Sequence, residues 1–182
     1  DEKITSETIK SIDFPCIVKP NAQGSTFGLS IVNDNNELIE AMKLAGKYDD
    51  TSLIEQYIIG REITVGILGD KALPIVEIIP DHQLYDYECK YSPGMSQYVC
   101  PAKIDSKKEK QIKEESEKIF KLLGCSGYGR IDFLLDENGR YFFLELNTLP
   151  GMTSTSLLPI AANKAGKSFA QLIDAIIRLS LR

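Results

Sequence analysis

Apolar and polar positions follow a strand-like rhythm in several runs: FPCIVK (14–19), LSIV (29–32), SLIEQYI (52–58), REITVGIL (61–68) and ALPIVEII (72–79). Such runs, bounded by turn residues, predict half-buried strands. Gly69-Asp70 separates the last two and predicts a hairpin. A helical period is read elsewhere. Leu38, Ile39, Met42 and Ala45 share a face between a cap at Asn36 and a stop near Gly46. Ser106 and Glu109 form a capping box before IKEESEKIFKLLG, which Gly124 ends. Its Lys-Glu run (107–118) predicts a solvated face. Helices at 157–165 and 168–181 close the chain, the second opened by a box of Ser168 and Gln171. A short helix over 3–12 is expected to end at Pro15. Residues 81–101 show no period; a loop of that length is functional or disordered, and its tyrosines and Lys90 favour function.

The most informative run is GRIDFLLDENGRYFFLELN, 129–147. Asn138-Gly139 predicts a two-residue turn that pairs Glu137 with Arg140. Alternation back from that turn sets Asp132 opposite Glu145 and Arg130 opposite Asn147, all on one face. Ile131, Phe133, Leu135, Phe142, Leu144 and Leu146 are then expected on a core face. Two carboxylates facing each other on a sheet repel, by about 4 kcal/mol at ~4 Å and an effective dielectric near 20. Three arrangements answer this. Asp132, Glu145 and the Asn147 carbonyl can hold Mg²⁺, which prefers such hard oxygens. Arg130 can centre a surface salt-bridge patch. The carboxylates can instead be an acid–base pair.

Lys19 ends one predicted strand, and NAQGSTFG (21–28) follows. Small residues let backbone N–H groups approach phosphate oxygens, and Lys19 adds charge. No Gly-Lys-Ser/Thr ends the loop, so it is not a Walker A loop; an ordinary surface turn with an exposed lysine has the same composition. With the metal ligands and Lys90, a nucleoside triphosphate is the coherent ligand.

Composition narrows this little. The 182 residues suit one soluble domain with sub-lobes, and a net charge of −5 without a basic run argues against nucleic acid. No apolar segment nears the ~20 residues of a membrane span, and the polar start is not signal-like. Beginning at Asp1, the chain is expected to be processed or a piece of something longer. Cys16, Cys89, Cys100 and Cys125 form no CxxC pair, and the lone His82 completes no zinc-finger spacing. Reduced thiols and a cytoplasmic location are expected.

KPNAQGSTFG, EQYIIGREITVGILG, YDYECKYSPGMSQYVCPA, GRIDFLLDENGRYFFLELNTLPGMTSTSLLP and AGKSFAQLI, in that order, closely resemble the D-alanine–D-alanine ligases. The resemblance runs from about Phe14 to the end, and LELNTLPGMTS and YECKY are its most specific parts. It implies an α/β (α+β) ATP-grasp fold with antiparallel sheets and flanking helices, lacking the family's N-terminal substrate domain. Residues 1–60 would belong to the central subdomain, with the glycine loop and adenine strand. Residues 61–182 would form the C-terminal subdomain, with the Mg²⁺ site and substrate loops.

The resemblance also implies roles. Lys19 binds ATP phosphates, and Ser25 lies in the loop that closes over them. Glu55, Gln56, Tyr57 and Ile58 form the strand that meets adenine through its backbone; Glu62 binds ribose. Lys90 reaches the γ-phosphate, and Tyr91 helps close the site beside the second D-alanine. Asp132, Glu145 and Asn147 bind Mg²⁺, with Mn²⁺ possible in its place. Arg130 stabilises the tetrahedral oxyanion. Gly151, Ser156 and Leu157 receive the second D-alanine. ATP would phosphorylate one D-alanine carboxylate, and a second D-alanine's amine would displace phosphate, making peptidoglycan precursor. The partners implied are ATP and D-alanine, with the full-length enzyme a homodimer and this chain alone nearly inactive. D-Lactate or D-serine acceptors, or a non-catalytic nucleotide-binding domain, are the alternatives; Tyr91 favours D-alanine. Thr155 stands where relatives often carry His, which bears on the second-substrate pocket.

Overall fold

The computed structural model describes residues 12–24, 26–80, 96–153 and 155–181. Ser25, Lys90, Tyr91, the 81–95 part of the long loop and nearly all of the expected 3–12 helix lie outside them. The chain divides into two compact units.

The first unit ends at Ile58 apart from the Pro80–Met95 stretch. It contains β1 (Cys16–Pro20), β2 (Ser30–Val32), α1 (Asn35–Ala45) and β3 (Ser52–Gln56). The strands form an antiparallel sheet ordered β2-β1-β3. Alternation along β1 buries Cys16 and Val18, and α1 lays Leu38, Ala41 and Ala45 over them and Val32. The expected helical face is off at one position: Ile39 is exposed. The cap is Asp34 rather than Asn36, its carboxylate accepting from the Asn36 and Glu37 amides at 2.8 and 3.0 Å.

The second unit takes Ile59–Ile79 and Ser96–Arg182. Its elements are β4 (Arg61–Leu68), β5 (Lys71–Ala72), β6 (Val76–Pro80), β7 (Ser96–Val99), α2 (Ser106–Leu122), β8 (Tyr128–Leu135), β9 (Tyr141–Asn147), α3 (Leu157–Lys164) and α4 (Phe169–Ser180). The sheet runs β7-β6-β4-β8-β9, with β5 paired to β4. Ile63, Val65, Ile67, Ile131, Phe133 and Leu135 bury one sheet face against Ile112 and Phe120 of α2. Asp105, not Ser106, caps α2, accepting from the Lys107 and Lys108 amides. The Ser168–Gln171 box on α4 forms as expected. β7 falls inside a stretch with no readable period.

The other sheet face carries Glu62, Thr64 and Gly66 on β4, across from Leu134, Asp132 and Arg130 on β8. α3 packs here because Gly66 has no side chain. A Cβ at Gly66 would stand 2.6 Å from Leu158 Cδ1 and 3.2 Å from Leu73 Cδ1. Leu158 is fully buried and has little room to yield. Gly66→Val is therefore expected to destabilise by about 1–3 kcal/mol through overpacking, read as a lowered urea midpoint with unchanged slope.

Candidate functional site

The β8–β9 hairpin reaches the expected register by an unexpected route. Its turn is not the two-residue Asn138-Gly139 turn. Gly139 N donates to Asp136 O at 3.1 Å, and Asp136 N to Arg140 O at 2.9 Å. Only Gly139 takes a positive φ, 74°, which makes a type I turn followed by a left-handed glycine. Asp136 enforces the wider loop: its carboxylate accepts from Arg140 N and Nε, both at 2.7 Å. This shifts pairing by one residue, to Leu135 with Tyr141 and Phe133 with Phe143.

A β-bulge at Asp132/Phe133 shifts it back. Leu144 is the extra residue, and beyond it Asp132 pairs with Glu145 and Arg130 with Asn147, as expected. Without the bulge Glu145 would face the core, opposite Ile131. Bulges recur beside active sites because they re-aim a side chain in this way. The core face near the turn accordingly differs from expectation. Tyr141 and Phe143 flank Phe133, edge-on with centroids at 6.0 and 6.1 Å. Phe142 lies on the opposite face, across from Leu134, and Leu144 is exposed.

Asp132 is buried and strongly held. Arg130 clasps it with both prongs, Nε to Oδ1 at 2.9 Å and Nη2 to Oδ2 at 2.7 Å. Thr64 Oγ1, directly across on β4, lies 2.5 Å from Oδ1. Part of the like-charge problem is thus answered by Arg130, as the salt-bridge reading expected. The pair is not a surface patch, however: its side chains are 13% and 7% exposed. Glu145 is exposed. Asn147 Oδ1 accepts from Leu149 N at 3.0 Å, which fixes the amide and leaves that oxygen a second lone pair. Two carboxylates and an amide oxygen on one face are hard donors that fit a Mg²⁺-like ion. Glu62 stands on the same face, two residues along β4 from Thr64.

After β9 the chain folds back over 148–156 to begin α3. Ser156 Oγ accepts from Thr153 N at 3.0 Å and lies 2.8 Å from Thr153 Oγ1, so it is turned into the loop and does not cap its helix. Gly151 lets this happen; a Cβ there would meet Ser156 Oγ at 2.9 Å. The Leu157 side chain is buried, so what it can present to a ligand is backbone N–H. Leu158 packs on Gly66, the cross-strand neighbour of Arg130, so the first turn of α3 lies over the Arg130 face.

In the first unit, Lys19 pairs with Glu55 at 2.5 Å, bringing together a predicted phosphate ligand and a predicted adenine-strand residue. β3 is an outer strand of its sheet, with β1 on one side, and an outer strand has an edge of backbone groups to offer. Tyr57 and Ile58 follow its end, the Tyr57 amide donating to Pro15 O. The base of the glycine loop is tethered by Asp49, which accepts from Ala22 N at 2.5 Å and Thr51 N at 3.1 Å. Those donations, Thr51's foremost, hold the Asp49 carboxyl below its usual range. A lowered folded-state pKa means the tether is intact above about pH 4 and weakens as pH falls through the lowered value. A carboxyl NMR titration should place the Asp49 midpoint below 3.9, the ordinary value; a midpoint at or above it would contradict the tether.

The family model described as D-ala D-ala ligase C-terminus matches residues 1–178. The chain belongs to that family. A D-alanine–D-alanine ligase of Desulforamulus reducens is 47% identical over 176 residues, covering 95% of this chain and 56% of the relative. The solved D-alanine–D-alanine ligase of Bacillus anthracis superposes with a TM-score of 0.86 at 36% identity, over 100% of this chain and 59% of that one. The VanG D-Ala:D-Ser ligase of Enterococcus faecalis gives 0.82 at 35%, over 95% and 51%. The chain spans little more than half the length of these relatives.

As in its ligase relatives, the fold is mixed α/β, the ATP-grasp architecture, with antiparallel sheets and flanking helices. Among the described residues no helix is long and apolar enough to cross a membrane. Sequence reasoning missed Thr64 and Asp49. Thr64 is one apolar-flanked position in a strand, and only the β4–β8 register reveals that it faces Asp132. Asp49 lies in a polar loop, 27 residues from the amide of Ala22.

Proposed function

We propose that this chain carries the nucleotide, metal and second-substrate machinery of an ATP-dependent ligase that joins two D-alanines through an acylphosphate. The observation that carries the reading is the single sheet face shared by Glu62, Arg130, Asp132, Glu145 and Asn147. Family membership supports it, as does the solved Bacillus anthracis ligase in complex with ATP, 35% identical with a TM-score of 0.83.

Asp132, Glu145 and Asn147 would hold Mg²⁺ or Mn²⁺. Such an ion supplies charge neutralisation to a polyphosphate. Lys19 keeps donors in hand for a phosphate oxygen, since an ammonium has three and Glu55 engages one. Glu62 accepts from ribose hydroxyls, and the outer edge of β3 with Tyr57 and Ile58 presents backbone groups to adenine. Ser25, Lys90 and Tyr91 would close over the phosphates and keep water from the acylphosphate. Arg130 donates to the oxygen that turns negative when the second amine attacks. The N–H groups at the start of α3, near Ser156 and Leu157, suit the incoming carboxylate. Glycine at 151 keeps that loop shape. The amide forms as the acyl–oxygen bond to phosphate breaks, so each dipeptide accompanies one ADP and one phosphate. We place the enzyme in the cytoplasm, where ATP is available, as a homodimer at full length.

The test is an assay of the full-length ligase with ATP and D-alanine, scoring ADP and dipeptide together and the isolated chain in parallel. One-to-one ADP and D-alanyl-D-alanine, nearly absent from the isolated chain, is expected. Nucleotide binding without turnover by the full-length protein would overturn the enzymatic reading. The likeness to VanG favours a second reading, D-serine as acceptor. Competition between D-alanine and D-serine should favour D-alanine.

A further inference from the structure

We infer that Thr64 is a positioning residue that decides which oxygen of Asp132 is offered to a divalent cation. The inference deepens the proposed function and rests on its reading of Asp132 as a metal ligand. Thr64 is 1% exposed, in a strand where Ile63, Val65 and Ile67 are fully buried. Packing alone would be met by valine, which has the same shape without the hydroxyl. A buried hydroxyl costs stability unless bonded, and this one faces Asp132 Oδ1 at 2.5 Å and Ile131 O at 3.2 Å. Both are acceptors, and the hydroxyl has one proton to give. The nearer, charged oxygen takes it.

Asp132 Oδ1 then receives two donors, Thr64 Oγ1 and Arg130 Nε. An sp² carboxylate oxygen has two lone pairs in its plane, so Oδ1 is full. Oδ2 receives one donor, Arg130 Nη2, and keeps one lone pair open. A cation therefore meets Asp132 through Oδ2 alone. Arg130 can keep its Nε bond while the ion is held, and Thr64 stops the carboxylate rotating to present Oδ1. Outer partners that orient a ligand in this way are worth about 10–100-fold in metal affinity.

The test is Mn²⁺ binding to the full-length protein with ADP present, followed by electron paramagnetic resonance, with thermal melting alongside. Thr64→Val should weaken Mn²⁺ binding about 10–100-fold. Thr64→Ser, which keeps the hydroxyl, should stay within about threefold, and Asp132→Asn should lose most binding. A role in packing alone would lower the melting temperature and leave affinity unchanged. Wild-type affinity in Thr64→Val, with binding lost in Asp132→Asn, would overturn the role of Thr64 and leave the metal site standing. Wild-type affinity in Asp132→Asn, or no binding by the wild type, would overturn both. If Thr64→Val does not fold, Thr64→Ala is compared with Thr64→Ser, and equal affinities overturn the inference.

Discussion

Asp132→Asn should lower dipeptide formation by the full-length ligase about 1,000-fold, with Mg²⁺ no longer saturating at ordinary concentrations. Metal-assisted charge stabilisation contributes several kcal/mol, and about 4 kcal/mol is a thousandfold in rate. Asparagine keeps the shape of Asp132 and an oxygen for Thr64, but loses the charge that both Arg130 and a cation require. Some stability is lost as well, because breaking one side of a buried ion pair costs about 3–5 kcal/mol when the partner is left uncompensated. Arg130 is nearly as buried as Asp132, so the assay is normalised to folded protein. A variant that folds and turns over within tenfold of wild type would contradict the assignment. Glu145→Gln should be milder, since Glu145 is exposed whereas Asp132 is buried in its ion pair with Arg130.

Arg130→Met should lower kcat about 100–1,000-fold, the usual loss for one oxyanion donor. Its effect on metal should have the opposite sign. Arg130 occupies both oxygens of Asp132. Removing it withdraws a competing positive charge while Thr64 still holds Oδ1, so half-saturation by Mg²⁺ should stay the same or fall. Arg130→Lys keeps charge but not the planar fork, and should recover little of kcat. Steady-state kinetics at varied Mg²⁺ separates the two effects. A rise in the Mg²⁺ requirement larger than the fall in kcat would mean that Arg130 builds the metal site instead of acting in the reaction.

The strand rhythm made most of the architecture legible. β1 reads clearly because burial alternates along it, and β4 and β8 because they are long apolar runs buried through their centres. The strand β7 did not, because its residues are partly exposed and carry no alternation. Helix starts differ from expectation by two residues at Asp34 and by one at Asp105, where neighbouring residues are also good caps and only side-chain geometry chooses. The hairpin is the most instructive case. The sequence predicts the pairing of Asp132 with Glu145 from a turn that does not form. Asp136 widens the turn by one residue, and the bulge at Leu144 takes that residue back before Asp132 is reached. Neither device leaves a period in the sequence, since both depend on hydrogen bonds across the hairpin. The site residues on the β4–β8–β9 face were legible through their chemistry and their resemblance to the ligases. Thr64 was not, because its role exists only once two strands distant in sequence are paired.

Asp132, Glu145 and Asn147 are proposed to hold one ion together. Anomalous diffraction from crystals of the full-length protein grown with Mn²⁺ and ADP tests this directly. A manganese peak about 2.1 Å from an oxygen of each of the three residues is expected, with Asp132 contributing Oδ2. A peak bound elsewhere, or one that Asp132 and Glu145 do not share, would contradict it.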